Sequence, residues 1–216
     1  MAITKKQLAE QTLRIIQGGS VRDDAEIDIR EIMMNIEQER DKLIKVDLFQ
    51  SISMGEYNVN GSFISTYIAD IKNDEEKDLK YSDVPVTPIS LPNDIGMFQI
   101  SYVQDQFNTF VRIPNGAMGL YNGLNSGKLL GRVGYFVESS LNYSNDIASG
   151  TRVYYNNIPD CDKDVLLKVV ATSGDIGEDE PFPIAPEMES TIIRSVVELY
   201  SVMRQALSDE SNDNIE

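Results

Sequence analysis

The chain has 216 residues, 41% hydrophobic and 25% charged, with a net charge of −16 at neutral pH. That length suits one large or two small domains with a core that needs no disulfide, and the single cysteine, Cys161, excludes an internal one. The lack of any histidine excludes His-dependent triads, HExxH metal sites and Cys/His zinc clusters.

In chain order, ITKKQLAEQTLRIIQGG predicts a helix over 3–17. Thr4 and Gln7 fit a capping box, Ile3 and Leu8 a hydrophobic staple, and Gly18-Gly19 a stop. The same grammar recurs with Asp28 and Glu31 as capping pair and Ile27 and Ile32 as staple, opening a helix over 28–46. Ile29, Ile32, Ile36, Leu43 and Val46 form its apolar stripe, and Glu37–Arg40 and Asp41–Lys45 are placed to pair on the outer face. The short linker makes the two helices a hairpin.

After Ser51 the period changes to alternation. Asn60-Gly61 signals a turn, and a strand is predicted over 63–69. The charged run NDEEKDLKYSD reads as an exposed loop, and VPVTPISLPND, with three prolines, as an extended segment without regular structure. Alternating runs at 97–103, 109–113, 130–137, 151–155 and 164–172 predict further short strands, hence a small β sheet or barrel-like unit.

A last helix is expected over 186–207, with Pro186 at its first position. Met188, Ile192, Val196, Leu199, Met203 and Leu207 make one stripe, which Ile193, Val197 and Tyr200 widen. The polar remainder is thin: Arg194, Glu198 and Arg204. So much apolar surface suits a core helix of the chain's own bundle, a subunit interface, or both. The flank bearing Val197, Tyr200 and Arg204 is the candidate interface. Behind it SDESNDNIE carries four acids and no base, which predicts a disordered acidic tail over 208–216. The expected fold class is therefore α+β: a helical hairpin over 1–50, a β-rich unit over 51–172, and an acidic linker with the C-terminal helix over 173–207, packing on the first two helices.

Three stretches invite a chemical reading. Ser126-Gly127-Lys128 within a glycine-rich run lacks the glycine at 122 and the Ser or Thr at 129 that a phosphate loop needs, so a mobile loop is expected. Asp160, Asp162 and Asp164 have calcium-loop spacing, but Val165 and Ala171 stand where Gly and Glu belong, so a turn is expected. Asp175, Glu178, Asp179 and Glu180 read as a solvated linker, and Cys161, among acids, as an inert thiol. No catalytic, cofactor-binding or metal-ligating residue is assigned, and the chain is not expected to be an enzyme. No run approaches a membrane span and the opening residues lack a signal peptide's apolar core, so a soluble, cytosolically made protein is expected. Residues 173–216 carry eleven acids against two bases, which disfavours tight nucleic-acid binding.

Three segments, TKKQLAEQTLRIIQGG with IDIREIMMNIEQERDKLIK, VPVTPISLPNDIGMFQISYV, and PFPIAPEMESTIIRSVVELY, together resemble virion structural proteins of crAss-like tailed phages. The resemblance implies a head-to-tail connector or ring protein located in the virion, a cyclic homo-oligomer with twelve-fold symmetry as the expectation. It would neighbour the portal and other tail or ring proteins and surround packaged DNA without gripping it. No catalytic residue or cofactor comes with it. A virion adhesion or carbohydrate-binding module is the alternative; it would expose aromatics, with Tyr154-Tyr155 as the pair to watch.

Overall fold

The computed structural model describes residues 3–19, 27–56, 59–75, 77–114, 116–117, 132–139, 150–159 and 164–212, with Asn93 and 203–212 described as backbone only. The fold is α+β. Two compact units divide the chain, a helical unit of Met1–Phe63 with Ser173–Glu216 and a β unit of Ile64–Thr172. Among the described residues no helix is long and apolar enough to cross a membrane.

Among its described residues the helical unit packs three helices pairwise: α1 (Lys5–Ile16), α2 (Ile29–Ser53) and α3 (Pro186–Asn212). The α1 capping box is complete, Thr4 Oγ1 accepting from the Gln7 N–H at 3.2 Å and Gln7 Oε1 from the Thr4 N–H at 3.1 Å. Asp28 caps α2 through the Arg30 N–H, at 2.9 Å, rather than as a box with Glu31. Helix α2 outruns the expected end at Val46 by two turns because Leu48 prolongs its buried row. It stops where Gly55 takes φ +83°, with Gly55 N–H bonded to Ile52 O and Glu56 N–H to Ser51 O, a Schellman motif. Helix α3 likewise continues past 207 to Asn212, so the disordered tail expected from 208 is corrected as far as 212. Once a helix is nucleated, each added residue gains a hydrogen bond and needs no core contact of its own.

The unit's interior comes from Leu8 and Ala9 of α1, Ile32, Ile36, Ile44 and Leu48 of α2, and Ile192, Val196 and Tyr200 of α3. The α2 row thus runs at four-residue steps through Arg40, which is fully buried, while Val46 is exposed. The outer-face pairing expected of Arg40 with Glu37 is wrong. Arg40 lies over the Phe182 ring and donates to Pro183 O (2.9 Å), Ser173 Oγ (3.0 Å) and Asp41 (3.1 Å). Glu37 pairs instead with buried Lys5, at 2.5 Å, and the same ammonium donates to Ile176 O at 2.8 Å. These two cations tie the 173–183 segment to α1 and α2, using carbonyls that the turns leave free.

Among its described residues the β unit has eight strands: β1 (Ser65–Ala69), β2 (Lys72–Asp74), β3 (Leu79–Asp83), β4 (Met97–Tyr102), β5 (Val111–Arg112), β6 (Gly134–Glu138), β7 (Arg152–Asn156) and β8 (Val165–Val169). They form two sheets, ordered β1-β8-β4 and β2-β3-β7-β6-β5, antiparallel throughout except for β5 on β6. Phe110 packs edge-on against both Tyr102 of the first sheet and Tyr155 of the second, joining their inner faces. The charged run expected as a loop is the β2–β3 hairpin. Several of its charges are paired, Asp83 lying between Lys72 (2.6 Å) and Arg152 (2.9 Å), and Lys77 bonding Glu138 (2.7 Å) above the Tyr154 ring. The proline-rich segment is extended as expected, running beside 170–172 through Ile89 N–H to Val170 O and Thr172 N–H to Thr87 O. It adds one unforeseen 3-10 turn at Pro92–Asp94. Gly96 lies so close to the Ile89 carbonyl that no Cβ fits there.

Candidate functional site

Tyr200, on the candidate interface flank, is buried instead, and its hydroxyl accepts from Asn35 Nδ2 of α2 at 3.1 Å. Burial, with the charge of Glu31 adding to it, raises its hydroxyl above the ordinary tyrosine value. Val197 is half-buried, and Arg204 lies on α3 where the backbone alone is described. Tyr200 is therefore a core residue. Among the described side chains of α3, Leu199, 40% accessible, and Val202, 63% accessible, are exposed apolar ones, on its other side. On a helix they sit three residues apart and so share one face.

Leu199 and Val202 line a groove of about 350 Å³ with Ser195 of α3 and with Asn35, Glu39 and Lys42 of α2. Lys42 donates to both oxygens of Glu39, at 3.1 and 3.2 Å, and Gln38 and the exposed carboxylate of Glu198 complete the polar wall. Met34, Val46 and Phe49 are further exposed apolar side chains of α2. An apolar floor inside a solvated polar rim can receive an apolar side chain while the charges of the rim stay in water. Sequence periodicity had placed Leu199 in the stripe with Ile192 and Val196. The drift of a helical stripe relative to its neighbours carries Leu199 to the edge, which the pattern alone does not show.

Two cavities of the β unit are lined by described residues. One, of about 400 Å³, lies among Ile89, Leu91, Met97, Val137 and Thr151. The other, of about 280 Å³, lies among Tyr102, Asp105, Asn108, Phe110 and Arg132, with the Phe107 ring at its mouth and almost wholly exposed. Asn108 Nδ2 donates to Asp105 at 2.6 Å and fixes both side chains. Tyr154 and Tyr155 are both buried, so the exposed aromatic expected at that pair is corrected: alternation on β7 puts one in the interior and the other beneath Lys77.

Asp164 is exposed just before β8, while Asp160, Cys161, Asp162 and most of the glycine-rich run, Ser126 to Lys128 included, lie outside the described residues. Glu180 closes the turn after 176 by accepting from the Gly177 N–H at 3.2 Å. Among the described residues no three His, Cys, Asp or Glu side chains are grouped as metal ligands. No protein-family model and no curated protein matches the chain.

Proposed function

We propose that the chain is a virion structural protein, one subunit of a homo-oligomeric ring in the head-to-tail connector or tail of a tailed phage, built around the DNA path. The observation that carries this reading is the apolar groove of the helical unit, where Leu199 and Val202 stay exposed beside α2. Apolar surface that the subunit's own core does not use marks assembly, and contacts between unlike surfaces of identical subunits close into rings. The net charge of −16 supports the same reading, since a wall that repels phosphate lets DNA pass without being held.

Native mass spectrometry and negative-stain microscopy of the full chain test it. Closed rings are expected, and the double change Leu199→Lys with Val202→Lys should leave a folded chain that no longer closes into rings. A wild-type chain that stays monomeric at every concentration, alone and with portal, overturns the reading. Tyr200→Lys is not a usable probe, because it buries a charge in the core.

Phe107 favours a second reading, a virion adhesion module, because an exposed ring beside fixed carboxylate and amide groups suits the apolar and hydroxyl faces of a sugar. Binding on a glycan array that Phe107→Ala abolishes would select it.

A further inference from the structure

Each of the two sheets ends in two edge strands, and three of these four edges are blunted. Strand β2 is three residues long and carries Lys72 and Asp74; β5 is two residues long. Strand β4 is bulged between Met97 and Gln99, and its outer carbonyls are occupied, Ile100 O by the Phe110 N–H at 2.8 Å and Tyr102 O by the Asp105 N–H at 3.2 Å. Shortness, charge, bulging and covering are the usual protections against edge-to-edge pairing. Among the described residues the fourth edge, β1, has none of them. Its five residues, Ser-Thr-Tyr-Ile-Ala, contain no charge, proline or glycine and pair with β8 without a shift in register.

The ladder shows which backbone groups β1 leaves unused. In an antiparallel strand the N–H and C=O of one residue point to the same side. The Val103 N–H bonds Asp164 O, and the Val170 N–H bonds Gly96 O, so even-numbered residues along β8 face β4 and odd-numbered ones face β1. Ser65, Tyr67 and Ala69, opposite the odd ones, therefore bond to β8. Thr66 and Ile68 aim both backbone groups outward, and among the described residues nothing accepts from or donates to them. Their side chains are exposed as well, Ile68 to 62%.

We propose that β1 is a strand-pairing edge whose occupant is β1 of a second copy, antiparallel about a two-fold axis at Tyr67. That register sets Thr66 opposite Ile68 of the other copy and Ile68 opposite its Thr66, joining the four outward groups on each side in four hydrogen bonds and merging two three-stranded sheets into one of six. The strand is an uncharged stretch of a strongly acidic chain, so two copies can approach there without like charges meeting. The contact is isologous and separate from the helical groove. It does not depend on the ring reading.

Sedimentation velocity on the full chain across a concentration series tests the proposal. A weak, concentration-dependent dimer is expected, because a five-residue edge buries little area. Ile68→Lys, at an exposed side chain, should raise the dissociation constant by about tenfold or more with thermal unfolding unchanged, whereas the Leu199→Lys with Val202→Lys chain should still form this dimer. Register is read by cysteine crosslinking in a Cys161→Ser background. Tyr67 would face its own copy as a non-hydrogen-bonded pair with Cα atoms about 4.5 Å apart, so Tyr67→Cys should form an intermolecular disulfide and Thr66→Cys, facing Ile68, should not. A dimer that survives Ile68→Lys, a chain with no dimer at any concentration, or equal crosslinking at both positions overturns the proposal.

Discussion

Arg40 concentrates the residue-scale energetics of the helical unit. Its guanidinium is fully buried, yet three acceptors and the Phe182 ring receive it. Truncation would leave the Pro183 carbonyl without its donor and open a cavity beneath the Phe182 ring, so Arg40→Ala should destabilise the unit by about 3–5 kcal/mol in urea unfolding. Arg40→Met, which keeps the volume, should cost less. In the β unit, burial pushes the Tyr155 hydroxyl well above the ordinary tyrosine value, and burial raises Tyr135 too. A raised folded-state value means that the unfolded chain ionises first. Stability is then intact below about pH 10 and falls as pH climbs from there toward the folded value. Urea titrations at rising alkaline pH should show this loss, reduced in Tyr155→Phe and not abolished, because Tyr135 contributes the same sign.

At the scale of elements, helix ends were the best-signalled features and hairpin edges the worst. The capping box at Thr4 and Gln7 forms as its residues imply, because its donors and acceptors are neighbours in sequence. The end of α2 was signalled by Gly55 rather than by the apolar run that ends at Val46. Gly55 sits at φ +83° with open space around it, so Gly55→Ala should cost about 1 kcal/mol through backbone strain alone. Chemical denaturation of the full chain measures it, and an unchanged midpoint would show that the motif does not hold the helix end. The β2–β3 hairpin was missed because its charged side chains suit a loop in isolation. Asp83 is drawn up in pKa by burial, but the hydrogen bonds from Lys72 and Arg152 outweigh that and hold its carboxyl below the usual carboxylate range. Arg152 arrives from β7, about seventy residues away in sequence, and no local pattern announces it.

For the whole molecule, charge is the property that sequence states most directly. An excess of acids concentrated after Ser173 predicts that the full chain shows no saturable binding to duplex DNA below about 1 µM in fluorescence anisotropy at physiological salt. Tighter binding would contradict a passive wall around DNA. Assembly is a different matter, since the same apolar residue serves a core or an interface according to what stands beside it.

That division runs through the protein. The α+β class, the three helices, the N-caps Thr4 and Asp28, the approximate positions of six strands and the excess of apolar residues near the C-terminus are all legible in the sequence, because each depends on local periodicity or adjacent residues. Tertiary packing, by contrast, makes Tyr200 core and Leu199 surface, makes Arg40 and Lys5 interior cations, and leaves β1 as the unprotected edge among the described strands. Those outcomes depend on partners distant in the chain: Asn35 for Tyr200, Pro183 and Ser173 for Arg40, β8 for β1. A periodic pattern says that a face will be buried, but which residues sit at its margin is set by the angle and register at which another element meets it.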